Sequence, residues 1–401
     1  MKKLVYIIIL IVMLMCLTGC GLHSDEDNPT LDINENAAFD GNLDNTDKSL
    51  NDEDSFIFTW MTYNELKVTD SLSKKGEYES YIEGLFTRMK EIGVTDCFVQ
   101  VRPFADAVYE SALFPTSIYA ENAEDFDPFE TVMSVAQKYE IGVHAWINPY
   151  RISSGELSED SVYYEKYKDE IISLSSGTYF NPASLKAQNL ILSGIEEILG
   201  KYNVKGIHID DYFYPETIEN EDEKQYDLYK NNGGIKSLGD WRRENVSSLV
   251  SAMYLKVKSF GEDKIFSVSP CGNIEKNYSQ LYADVYSWCR GGYCDMVLPQ
   301  IYFGFGNDTL PFEKCLENWL AITDTGKVKL IPGLALYKCG KEDEFAGKGK
   351  SEWQENSDII SRQVKLIKEK ECQGFALYSS TYINFSEIFT KKELNNLKSV
   401  L

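Results

Sequence analysis

Lys205-Gly206-Ile207-His208-Ile209-Asp210-Asp211 is the stretch on which the fold reading turns. Ile207 and Ile209 alternate with His208 and Asp210, the period-two pattern of a strand. In a closed parallel barrel the two isoleucines face the surrounding helices, and His208 and Asp210 point inward. Asp210 then stands at the C-terminal end of its strand, where barrel enzymes hold their reacting groups. Asp211 follows on the loop.

Working outward, the neighbouring segments carry the same parity. Phe98, Gln100 and Arg102 share one face against Cys97, Val99 and Val101. His144, Trp146 and Asn148 oppose Val143, Ala145 and Ile147. Ser267 and Ser269 share a face, as do Met296, Leu298, Gln300 and Tyr302. Polar residues gather on one face, toward the C-terminal ends of four strands.

Strands are expected near 56–62, 95–101, 142–147, 205–210, 265–269, 295–302, 328–335 and 374–379. Amphipathic helices fall at 79–92, 129–139, 185–199, 241–260, 310–322 and 358–368, with a last one at 391–400. Regular β-then-α alternation predicts a parallel sheet, and eight units predict a (β/α)8 TIM barrel, an α/β fold. An open doubly wound sheet would call for a glycine-rich phosphate turn after the first strand, and none is present. Long connections at 103–127, 148–184 and 211–239 predict enlarged βα loops after strands two, three and four.

The chain has 401 residues and a net charge of −23. Such a surface repels phosphate backbones and argues against nucleic-acid partners. The 26 tyrosines suit both a core and a cleft that stacks sugars. Lys2 and Lys3, an apolar run from Leu4 to Leu17, and Leu17-Thr18-Gly19-Cys20 resemble a bacterial lipobox. Residues 1–19 are accordingly expected to be a lipoprotein signal peptide, with Cys20 lipidated and the protein held outside the cytoplasm on a membrane. Residues 21–54, rich in Asp, Glu and Asn, have too few apolar groups to fold; residues 20–54 are expected to form a lipidated, disordered acidic tether, and 55–401 the barrel domain. Seven further cysteines include no CxxC pair, so neither a thiolate zinc site nor any other cofactor is expected.

The predicted mouth gathers Gln100, Arg102, Trp146, Asn148, Asp210, Asp211, Gln300 and Tyr302, a mixture suited to a polyhydroxylated ligand. Glycoside hydrolysis needs two carboxyl groups. Asp210 is the candidate nucleophile or base, and Asp211, Asp106 and Glu216 remain open for the acid. For neighbours to share one site, the chain must turn at Asp211.

Phe98-Val99-Gln100-Val101-Arg102-Pro103-Phe104-Ala105-Asp106-Ala107-Val108-Tyr109 and His144-Ala145-Trp146-Ile147-Asn148-Pro149-Tyr150-Arg151 resemble the glycosyl-hydrolase-like 10 family. So do Gly206-Ile207-His208-Ile209-Asp210-Asp211-Tyr212-Phe213-Tyr214-Pro215, Val268-Ser269-Pro270 and Leu298-Pro299-Gln300-Ile301-Tyr302. The resemblance spans about residues 55–390. It implies an exported TIM-barrel glycosidase acting on peptidoglycan glycan strands. It implies a site of Asp210 and Asp211 flanked by Gln100, Arg102, Asp106, Tyr109, Trp146, Asn148, Tyr150, His208, Tyr212, Gln300 and Tyr302. Cys271-Gly272-Asn273 departs from the bulkier, aromatic continuation expected after strand five.

Two other functions fit the sequence. His144 and His208 with Asp210 and Asp211 have the donor types of a metal-dependent hydrolase or deacetylase. A glycan-binding lipoprotein without catalysis would account for the absence of an obvious second acid.

Overall fold

The computed structural model describes residues 56–215 and 218–401. The expected signal peptide, Cys20, the tether and the candidate acid Glu216 lie outside the described residues.

The described residues form twelve strands: β1 (Phe56–Met61), β2 (Asp96–Arg102), β3 (Gly142–Ile147), β4 (Arg151–Ser153), β5 (Ile171–Leu174), β6 (Gly177–Phe180), β7 (Gly206–Ile209), β8 (Ile265–Val268), β9 (Met296–Val297), β10 (Lys329–Leu330), β11 (Gly333–Leu334) and β12 (Gly374–Leu377). Nine of them form one parallel sheet in the order β10-β9-β8-β7-β3-β2-β1-β12-β11. Its two edge strands, β10 and β11, are halves of one segment, interrupted where Pro332 brings no N–H to the ladder. Across that interruption the Ile331 and Gly333 amides donate to Val297 and Pro299, while the Pro332 carbonyl accepts from Ala376. The ladder therefore closes, and the nine pieces count as the eight expected strands.

Side-chain alternation divides the interior from the helix layer. Phe58, Trp60, Phe98, Trp146, Met296, Leu298, Ile331 and Ala376 fill the barrel. Ile207, Ile209, Val99, Ala145, Val268 and Val297 face outward into the larger core. There they meet the helices Lys75–Glu91, Pro128–Lys138, Leu185–Lys201, Leu238–Lys258, Phe312–Thr323 and Ile359–Glu369. Ser184, Ser237 and Asp127 accept hydrogen bonds from the first-turn amides of three of these helices. Gly206 is required by packing: a Cβ there would stand 1.8 Å from the Ile265 carbonyl oxygen of β8.

The enlarged loops after strands two, three and four are present, and the second of them has structure of its own. Between β3 and the helix Leu185–Lys201, the strands β4, β6 and β5 form a small antiparallel sheet. These strands are three or four residues long, too short for period-two alternation to stand out in the sequence. The connection from β11 to the helix Ile359–Glu369 is also long and contributes to the same face.

Candidate active site

Asp210 follows directly on β7, 5 % exposed, at the open end of the barrel. Parity turns its side chain inward. Behind it the chain bends: the Phe213 amide donates to the Asp211 carbonyl at 2.9 Å, a tight turn that lets consecutive carboxyls share one space. Asp211 itself is half-buried. Burial pushes the Asp210 carboxyl well above the ordinary aspartate range, and the neighbouring Asp211 charge pushes it further. Arg151 and backbone amides oppose that rise without cancelling it. Asp210 Oδ1 is buried without a hydrogen-bond partner. A proton-holding carboxyl beside a second, wetter carboxyl is the acid–base arrangement of glycosidases. The burial favours Asp210 as the acid, the reverse of the nucleophile or base role expected from sequence.

Several predicted residues lie around this pair. Gln100, 3 % exposed, accepts from the Tyr63 amide at 3.3 Å. Trp146 Nε1 donates to Asn148 Oδ1 at 3.1 Å, and Asn148 Nδ2 donates to the Pro103 carbonyl at 3.0 Å, tying the loop after β2 to the end of β3. Gln300 Nε2 donates to the Ser269 carbonyl at 3.1 Å. Tyr302 packs its ring near Tyr378 and Tyr337, with centroids 5.6 and 5.8 Å away. Tyr212 lies over the Arg151 guanidinium at 4.6 Å. Asp106 is half-buried on the loop after β2; burial raises its carboxyl, while the Ser117 hydroxyl opposes the rise.

Four predicted residues stand elsewhere. Arg102 breaks parity because the β2–β3 register shifts between Gln100 and Arg102, an irregularity that sends the side chain outward. It lies 3.5 Å over the Phe114 ring and against Gly194 of the helix Leu185–Lys201, fully buried. Tyr109 points into the same helix layer and donates to Glu197 at 3.3 Å. Tyr150 belongs to the outer core, its hydroxyl buried without a partner. His208 sits deep in the barrel, its ring 3.9 Å from that of Phe98. Trp60 Nε1 donates to His208 Nε2 at 2.9 Å, and His208 Nδ1 pairs with the Ser267 hydroxyl at 2.8 Å. Burial holds its pKa well below the ordinary histidine value, so it is a neutral core residue.

His144 is directed at Asp96, 3.4 Å away on the first residue of β2 and thus at the barrel floor. Both His208 nitrogens being engaged, the donors of the metal-dependent reading do not converge on Asp210 and Asp211. Among the described residues no group of three or more such donors could hold an ion.

Residues that sequence reasoning missed also line the mouth. Arg151, within a quoted motif, has its guanidinium over Phe104 at 4.8 Å as well as over Tyr212. Tyr63 follows β1, Tyr337 follows β11, and Tyr378 follows β12. The inward parity of Ala376 carries over to Tyr378 and could have found it; Tyr337, in the short 3-10 helix Leu336–Lys338, and Tyr63, in the turn after β1, carry no such signal.

A parallel barrel whose mouth combines neighbouring carboxyls with aromatic plates has the architecture of the glycoside-hydrolase class. The model of the family described as Glycosyl hydrolase-like 10 matches residues 59–350, and the chain belongs to that family. It is 30 % identical over 324 residues to Glycosyl hydrolase YngK of Bacillus subtilis, covering 74 % of this chain and 63 % of the relative, so it spans less than two thirds of that protein's length. It is 25 % identical over 360 residues to Glycosyl hydrolase DigH of Escherichia coli, covering 81 % of each. Among solved structures, the glycoside hydrolase domain of PgaB (BpsB) from Bordetella bronchiseptica has a TM-score of 0.58 at 12 % identity, covering 86 % of this chain and 98 % of that one. The catalytic domain of a Paenibacillus polymyxa beta-amylase has a TM-score of 0.52 at 12 % identity, covering 87 % and 98 %. At such identities the two structures speak for the barrel fold alone.

Proposed function

We propose that this protein is a glycoside hydrolase of the cell surface that cleaves peptidoglycan glycan strands, with Asp210 as general acid and Asp211 as base or nucleophile. The observation that carries the reading is the buried Asp210 carboxyl, raised by burial and by Asp211 at the mouth of the barrel. A carboxyl whose pKa is raised holds its proton to higher pH and can donate it to a leaving glycosidic oxygen. Family membership supports hydrolysis of a glycosidic bond. The lipobox-like stretch ending at Cys20 supports a surface location and membrane attachment.

Purified peptidoglycan, with and without its stem peptides, incubated with the full chain and analysed by mass spectrometry, tests the reading. New glycan fragments from the native protein, and release from Asp210→Asn slower by roughly 10²-fold or more, are expected. Fragments released by both at equal rates, or fragments from neither with saturable glycan binding retained, would overturn it.

A further inference from the structure

Arg242, Arg243 and Arg362 all have a carboxylate within ion-pair distance. Arg151 has none among the described residues, and its Nε is buried without a hydrogen-bond partner. Arg88, Arg102 and Arg290 likewise have no carboxylate partner among the described residues, but Arg88 and Arg290 lie on the helices Lys75–Glu91 and Val285–Gly291, and Arg102 is sealed beneath the helix Leu185–Lys201. Arg151 stays half-buried at the mouth, where a ligand can reach it.

Its surroundings hold the cation in place without satisfying it. The backbone is fixed by β4, where Arg151 pairs with Tyr179 of β6. The guanidinium carbon lies over Phe104 from the loop after β2 and over Tyr212 from the turn after β7, at 4.8 and 4.6 Å. Rings attract the faces of a guanidinium and leave its N–H edge uncommitted. That edge is a planar fork of donors, matched in spacing to the two oxygens of a carboxylate. The same cation is close enough to Asp210 to draw on its charge. Arg151, on β4 after β3, and Asp210, at the end of β7, stand at the same C-terminal end of neighbouring barrel strands.

We propose that Arg151 is a specificity-determining residue: its guanidinium receives a carboxylate carried by a sugar next to the scissile bond, making the protein selective for acidic glycans. Phe104 and Tyr212 act as positioning residues that hold the fork flat. The inference rests on the glycosidase reading of the same mouth. It adds a demand on substrate charge that the carboxyl pair alone does not impose.

Glycan strands bearing free carboxylates are compared with the same strands after carbodiimide conversion of those carboxylates to primary amides. KM is measured for the native chain, Arg151→Gln and Arg151→Lys. Amidation is expected to raise the native KM roughly ten- to hundredfold, the range of a charge-assisted hydrogen bond. Arg151→Gln should bind both forms equally weakly, and Arg151→Lys, with charge but no fork, should fall between. An unchanged acid-to-amide ratio in a folded Arg151→Gln would overturn the proposal. Calorimetric binding to the full-length Asp210→Asn chain makes the same comparison without turnover. Preference for the acid strands there upholds the subsite even where nothing is hydrolysed, and equal binding or none overturns it. Polyuronate, with carboxylates on the ring, and strands with ether-borne carboxylates are tested as competitors. Competition by one identifies the carboxylate's attachment, and competition by neither counts against the subsite.

Discussion

Asp210 sets function against stability in a single side chain. Its folded pKa is raised, so the folded state holds a proton that the unfolded chain releases above about pH 4. By linkage, the protein loses stability as pH climbs from that value through the raised pKa. Asp210→Asn removes this ionisation. It should lower kcat by roughly 10²–10⁴-fold, yet melt at a higher temperature than the native protein at pH 8. The difference in melting temperature should close as pH falls toward about 4; a difference that widens in acid would contradict the direction of the shift. Arg102 gives the converse case. It is a fully buried cation without a hydrogen-bond partner, and burial lowers its pKa. Replacing such a charge by an apolar side chain of similar volume is often neutral or stabilising. Arg102→Met should leave kcat/KM unchanged and the unfolding midpoint equal or higher; lost turnover in a folded variant would return Arg102 to the site.

The loop after β7 is held from outside the barrel. Arg242, on the helix Leu238–Lys258, donates to both oxygens of Asp222 at 2.9 and 2.6 Å and to the Glu219 carbonyl at 2.7 Å. Its remaining nitrogen donates to the Tyr282 hydroxyl at 2.8 Å. Both charged partners are buried, so removing one strands the other. Asp222→Asn or Arg242→Gln should cost about 3–5 kcal/mol in urea unfolding. What the sequence revealed about this region, and what it hid, follows from range. Alternation between Ile207, His208, Ile209 and Asp210 is a local property, and it turned His208 inward, where its ring meets Phe98 and Trp60. The same alternation failed for Arg102, because a register shift in β2 leaves no mark in residue order. Tyr109 and Tyr150 entered the expected site through motif resemblance, which does not say which face a side chain takes. Arg151 was missed because its place depends on rings from two other loops and on a sheet of strands too short to see. The burial that favours Asp210 as the acid is a property no spacing reports.

At the scale of the whole molecule, closure matters most. β1 pairs with β12 from Phe56↔Gly374 to Thr59↔Leu377, so the first and last barrel strands complete one ladder. Removing 374–401 would open the edges of β1 and β11 and uncover the interior around Trp60 and Phe98. The truncated chain is expected to show no cooperative thermal transition by circular dichroism; a sharp transition near the native midpoint would mean that the barrel survives open. The parallel ladder also has a direction. Every barrel strand runs from floor to mouth, and the chain enters at the floor, through Phe56. Six residues of strand, roughly 20 Å at about 3.3 Å each, separate that entry point from the mouth. The 55 residues ahead of Phe56 thus join the molecule at its back. A label or support coupled at Phe56 would therefore meet the barrel at its floor, the end opposite the carboxyl pair, and leave the mouth uncovered.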